Sequence, residues 1–138
     1  MSKTLLALLV LVVVIAAVLY SRRSRRAAAT APIGSAEADA QTLLALRNAG
    51  ADLTKPTEVR FYLYFPTPDG AARAANSAGT LGFTAKVTEG ADGKSWLCLV
   101  SGEMVPSESA IRGASTRLQA LAGTLGGEYD GWEAAVTR

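Results

Sequence analysis

The side chains of this chain that could do chemistry are carboxylates and tyrosines, because histidine is absent and cysteine occurs once, as Cys98. Without histidine the chain lacks the commonest general base near neutral pH and the commonest metal ligand. Carboxylates, lysine and tyrosine can still move protons. A single cysteine forms no internal disulfide and no thiolate cluster. Flanked by Leu97 and Leu99, Cys98 reads as a small buried hydrophobe. Asp130 and Glu133 are acidic neighbours near the C-terminus, but such neighbours are too common along a strand to define an acid–base pair. Gly90, Gly93 and Lys94 lie close together without completing a GxGxxG or GxxxxGK phosphate loop. No catalytic residue, cofactor site or metal site is expected.

The chemistry left is recognition. The stretch GGEYDGWE at 126–133 has two readings. In one, its glycines serve only to turn the chain from a helix into a strand, with Trp132 filling core space and Tyr129 and Asp130 making local hydrogen bonds. Alternatively Tyr129, Asp130, Trp132 and Glu133 form a protein-recognition surface, since Tyr and Trp are frequent interface anchors. Tyr62 and Tyr64 have three readings: a face covered by another element, a protein contact, or a base-stacking platform.

Charge separates these. The chain carries 14 basic and 12 acidic residues, a formal +2. Five of the basic residues are Lys3, Arg22, Arg23, Arg25 and Arg26, so the part after residue 26 has nine basic against twelve acidic residues and carries −3. Nucleic-acid binding needs a positive surface. Direct nucleic-acid binding is therefore not expected of the domain.

Residues 5–20, LLALLVLVVVIAAVLY, hold no charge, and Thr4 extends the run. This is the short end of a membrane-spanning length. Tyr20 falls where an interfacial aromatic is expected, and Arg22, Arg23, Arg25 and Arg26 then supply a stop-transfer flank able to reach lipid headgroups. A cleaved signal peptide carries its charge before the apolar run; here one lysine precedes it and four arginines follow. The expectation is one transmembrane helix at 4–20, lipid contact through 4–26, an Arg-rich stop and linker at 21–34, and one domain at 35–138. The positive-inside rule puts the N-terminus outside and the domain in the cytoplasm, at the inner membrane.

Within the domain, Ser35 predicts a helix N-cap and Gly50 a stop, giving a first helix over about 35–49 with Ala36, Ala40, Leu43, Leu44 and Arg47 on one face. EVRFYLYF alternates as a strand, with Val59, Phe61, Leu63 and Phe65 on one side. Thr67-Pro68-Asp69 opens a small-residue helix to about Ser77. GFTAKVTEG and SWLCLVS read as a hairpin about Asp92-Gly93. The second of these is apolar on both faces, which suits a central strand. Ile111, Ala114, Leu118, Leu121 and Leu125 make an apolar helical stripe after Pro106-Ser107. EYDGWEAAV closes the chain as a strand in which Trp132, Ala134 and Val136 alternate.

The order is βαββαβ after one extra helix. It predicts an α+β, ferredoxin-like fold with a four-stranded antiparallel sheet, two helices on one face, and the N-terminal helix covering an edge or the open face.

Four stretches also carry a resemblance: LRNAGADLTKP at 46–56, VRFYLYF at 59–65, the Gly82-Phe83 pair, and above all GGEYDGWE at 126–133. Over about residues 36–137 the chain resembles the family of the regulator of ribonuclease activity B, protein inhibitors of ribonuclease E. The resemblance implies a ferredoxin-like domain that binds a protein partner, a ribonuclease in the studied members, and is not itself an enzyme. The chain departs from the family in its hydrophobic N-terminus and in lacking a long acidic stretch. Its expected role is that of a membrane-anchored, non-enzymatic regulator or adaptor. The alternative is a small-molecule or RNA-sensing module that uses the open sheet face.

Overall fold

Every helix in the described part of the chain starts on a side-chain cap. A computed structural model describes residues 31–138, of which Pro32–Arg138 form one unit. The expected transmembrane helix at 4–20 and its arginine flank lie outside the described residues. Among the described residues no helix is long and apolar enough to cross a membrane. Helix α1 spans Ala36–Asn48 behind Ser35, whose hydroxyl accepts from the Ala38 amide at 3.1 Å. Helix α2, Pro68–Thr80, begins the same way at Thr67, with Pro68 in the first turn where its missing N–H costs nothing. Helix α3, Glu108–Thr124, begins at Ser107, which accepts from Ala110. Such caps satisfy amides that have no partner within the helix.

Strands β1 (Thr57–Phe65), β2 (Thr84–Glu89), β3 (Trp96–Met104) and β4 (Glu128–Ala134) form one sheet in the order β2-β3-β1-β4. Every neighbouring pair is antiparallel. The βαββαβ order therefore stands, and α2 and α3 each connect two strands that have a third between them. β1 and β3 are the central strands, paired along all nine residues from Thr57↔Met104 to Phe65↔Trp96. The β2–β3 turn is longer than the Asp92-Gly93 dipeptide predicts. It runs from Gly90 to Ser95, closed by the Gly90 amide on the Ser95 carbonyl and by the Asp92 carboxylate, which accepts from Lys94 and Ser95.

The core lies on one face of this sheet. Val59, Phe61, Leu63 and Phe65 of β1 and Cys98 and Val100 of β3 pack with Ala71, Ala74 and Ala78 of α2. Ile111, Ala114, Leu118 and Ala122 of α3 complete it. The alanines of α2 let that helix approach the sheet closely, and the larger residues of α3 fill the remainder. Phe83 meets Phe61 edge-on, with ring centroids 5.9 Å apart, and the Arg117 guanidinium lies over the Phe83 ring, 6.0 Å from its centroid.

Helix α1 does not lie over the open face; it packs beside α3. Its packed side also differs from the expected stripe. Ala36, Ala40, Leu44 and Arg47 are exposed, Leu43 is half-buried, and the one buried residue is Asp39. A polar anchor, set out below, fixes how this helix is turned.

Candidate functional site

Successive strand residues point to opposite faces. The burial of Phe61 and Leu63 on the helix side therefore puts Tyr62 and Tyr64 on the other side. Strand register completes that face. Tyr64 is flanked by Leu97 of β3 and Glu128 of β4, and Tyr62 by Leu99; Thr88 and Lys86 of β2 continue these two rows. The next row is Thr84, Ser101, Arg60 and Glu133, and beyond it Glu58 stands opposite Glu103. The result is a half-buried block of two tyrosines and two leucines on the central strands, rimmed by exposed charge. No described element covers it.

The block is tied to its rim. The Tyr62 hydroxyl donates to the Glu133 carboxylate, and Arg60 pairs with Glu58 at 2.7 Å. Burial, and then the carboxylate of Glu133, push Tyr62 up to about 12.

The last strand separates the other expected recognition residues from Tyr62 and Tyr64. Phe61 faces Trp132 and Leu63 faces Tyr129, so Asp130 and Gly131 together stand opposite Tyr62. This is a β-bulge, and Gly131 takes a φ of +97° there, which favours glycine. Residues three apart in a regular strand face opposite ways; the bulge turns Tyr129 and Trp132 both towards the helices. Tyr129 pairs its hydroxyl with Ser115 of α3 at 3.0 Å. The Trp132 indole donates to Asp39 of α1 at 3.0 Å. Upstream, a Cβ at Gly127 would run into the Phe65 ring and the Tyr64 carbonyl oxygen. Thus Tyr62, Tyr64 and Glu133 come together on the open face and Tyr129 and Trp132 on the covered one, while Asp130 is exposed in the bulge. Arg22, Arg23, Arg25 and Arg26 lie outside the described residues.

The sequence reading did not single out the cluster around Asp39. That side chain is 2 % exposed. One carboxylate oxygen accepts from Trp132 and the other from Arg112 Nη1 at 2.9 Å. Arg112 also donates to the Gly34 carbonyl at 2.8 Å and to Thr116. Both carboxylate oxygens of Asp39 and the Trp132 N–H are thus engaged within the domain, which makes this a fastening for α1. A shallow cavity of about 380 Å³ opens beside it between α1 and the start of α3, lined by Leu43, Leu44, Leu53 and Pro106 among others. Among the described residues no group of three acidic or cysteine side chains is placed to hold a metal ion. Cys98 is buried, which pushes its thiol up to about 11 and leaves it protonated at neutral pH.

Two tyrosines give a measurable signature. Burial pushes Tyr129 up to about 12, as it does Tyr62. A raised folded value means that folding favours the neutral phenol. That contribution is complete below the unfolded value near 10 and is lost as pH rises through about 12. In an alkaline titration of the folded chain, tyrosinate absorbance should include two late steps. Tyr62→Phe and Tyr129→Phe should each remove one of them. Ionisation of all tyrosines together near the unfolded value, with the fold intact, would contradict both placements.

A family model described as regulator of ribonuclease activity B matches residues 36–134. No curated protein matches the chain.

Proposed function

Because this chain belongs to the regulator of ribonuclease activity B family, we propose that it is a membrane-anchored, non-enzymatic regulator that binds a ribonuclease through its open sheet face. The family regulates a ribonuclease by binding it and is not itself an enzyme. The match covers all four strands and all three helices of the described unit, which supports seeking the binding surface on this domain. The observation that carries the choice of face is the Tyr62, Tyr64, Leu97 and Leu99 block. The solvated face of an antiparallel sheet ordinarily shows polar side chains, whereas here the centre is apolar and aromatic.

The uncharged run at 4–20 and the four arginines that follow support a single span with the domain on the cytoplasmic side of the inner membrane. A domain tethered a few residues from the bilayer meets membrane-associated partners at raised local concentration, so modest affinity suffices.

The test uses the full chain in its own cells. Protease added to intact cells should leave the domain whole, and affinity capture from detergent-solubilised membranes should recover an RNA-degrading enzyme. Addition of the purified chain should change that enzyme's cleavage rate severalfold. Leu99→Asp should abolish capture and effect together while leaving the domain folded. Selective binding of RNA by the chain itself, lost on Tyr62→Ala or Tyr64→Ala, would instead make the open face a nucleic-acid platform.

A further inference from the structure

We propose that the open sheet face takes a basic, amphipathic segment of its protein partner, with apolar side chains on the Tyr62, Tyr64, Leu97 and Leu99 block and Lys or Arg over the β4 edge and the Glu58–Glu103 end. This inference rests on the protein-binding reading of that face and names what the face selects.

Charge placement selects the segment. Four carboxylates rim the block, Glu58, Glu103, Glu128 and Glu133, against two cations, Arg60 and Lys86. Arg60 is already paired with Glu58, and Glu133 accepts from Tyr62. Glu103 and Glu128 are exposed and have no ion pair among the described residues. Glu58 and Glu103 are direct cross-strand partners on the same face. Like charges so placed oppose sheet formation; Arg60 offsets Glu58, which leaves the Glu103 charge without a paired cation among the described residues. A cation brought by a partner would relieve it.

The face is also polarised. Its acid lies on β4 and at one end of β1 and β3, while Lys86 stands alone on β2 at the opposite edge. An incoming segment is therefore oriented as well as selected, because reversing it would put its cations on Lys86. Complementary fields of this kind govern register and rate of association. A nucleic-acid backbone would meet mainly carboxylates, which disfavours it on the same grounds.

The experiment is photo-crosslinking of the full chain in its own cells, with p-benzoylphenylalanine placed at position 97 or 99, and at positions 44 and 73 on the helix side as controls. The adducts are mapped to the crosslinked peptide. Adducts from 97 and 99, absent from 44 and 73, to a protein segment of net positive charge with apolar residues support the proposal. Glu103→Lys with Glu128→Lys should lower the yield on the order of tenfold, and Lys86→Glu should raise it, since rim charges act on association at moderate salt. All three positions are exposed, and native protease resistance confirms folding of the variants. An acidic or uncharged segment, lipid, RNA, a second copy of this chain, or no adduct from 97 and 99 overturns it, as does a yield insensitive to the charge changes. A basic segment from a protein other than a ribonuclease leaves this inference standing and overturns the ribonuclease reading. A ribonuclease captured through an acidic segment does the reverse.

Discussion

Leu118→Ala is expected to destabilise the domain by about 2–5 kcal/mol, the range for truncating a fully buried leucine. Leu118 is 0 % exposed and sits midway along the buried side of α3, with Ile111, Ala114 and Ser115 before it and Ala122 after it. The loss combines the transfer term of the removed methyl groups with the cavity left behind. That cavity closes poorly here, since the surroundings are a pleated sheet on one side and a short-side-chain helix on the other. Backbone collapse onto the gap would have to bend the two central strands, which are paired along their whole length. The check is a denaturant melt of the purified chain, in which the midpoint falls at unchanged slope. A change under about 0.5 kcal/mol, the size of an ordinary surface substitution, would mean that α3 is turned away from the sheet.

Leu118 also marks what sequence reveals well. The α3 stripe is legible because its periodic residues are apolar and the core selects apolar residues. The β1 alternation is legible for the same reason, as are the three capping residues Ser35, Thr67 and Ser107, whose signals are local. The face of α1 is not legible by that means. The residue that turns it inward is Asp39, which a hydrophobic pattern discards, and its partners Arg112 and Trp132 are 73 and 93 positions away. Only the chemistry of the indole gave a hint, since a buried Trp N–H calls for an acceptor. The bulge in β4 had a sequence signal, a glycine inside a strand pattern, but the consequence of that signal is not local. One inserted residue puts Tyr129 and Trp132 on the covered face and leaves Tyr62 and Tyr64 on the other. Four aromatics that look like one recognition set along the chain belong to two sides of the sheet. The open face was legible in its residue types, because β3 is apolar on both faces. Its lack of cover among the described residues was not, because α1 could have lain there as well as beside α3.

The second large effect is expected at the α1 fastening. Asp39→Ala should cost about 3 kcal/mol, the lower end of the range for breaking a buried ion pair by removing one partner. The lower end applies because Arg112 is 31 % exposed. After the substitution its guanidinium keeps the Gly34 carbonyl and Thr116 and can recruit water. The half-buried Trp132 indole loses its acceptor as well. Arg112→Met should cost at least as much, although Arg112 is the more exposed residue. It strands a carboxylate that is 2 % exposed with the indole N–H as its remaining partner, and an uncompensated buried charge is the costlier defect. The double substitution should therefore be markedly less harmful than the sum of the two, a coupling that a double-mutant cycle reads directly. Trp132→Phe should show the smallest loss of the three, since it removes a single neutral donor. The damage should be local to α1. Its amides should exchange faster in every variant, while β1 and β3 keep their protection, because the core cluster includes no buried residue of α1. Additive losses at Asp39 and Arg112, or an Arg112→Met variant as stable as the parent, would show that α1 is held by Leu43 and its apolar neighbours and not by the carboxylate.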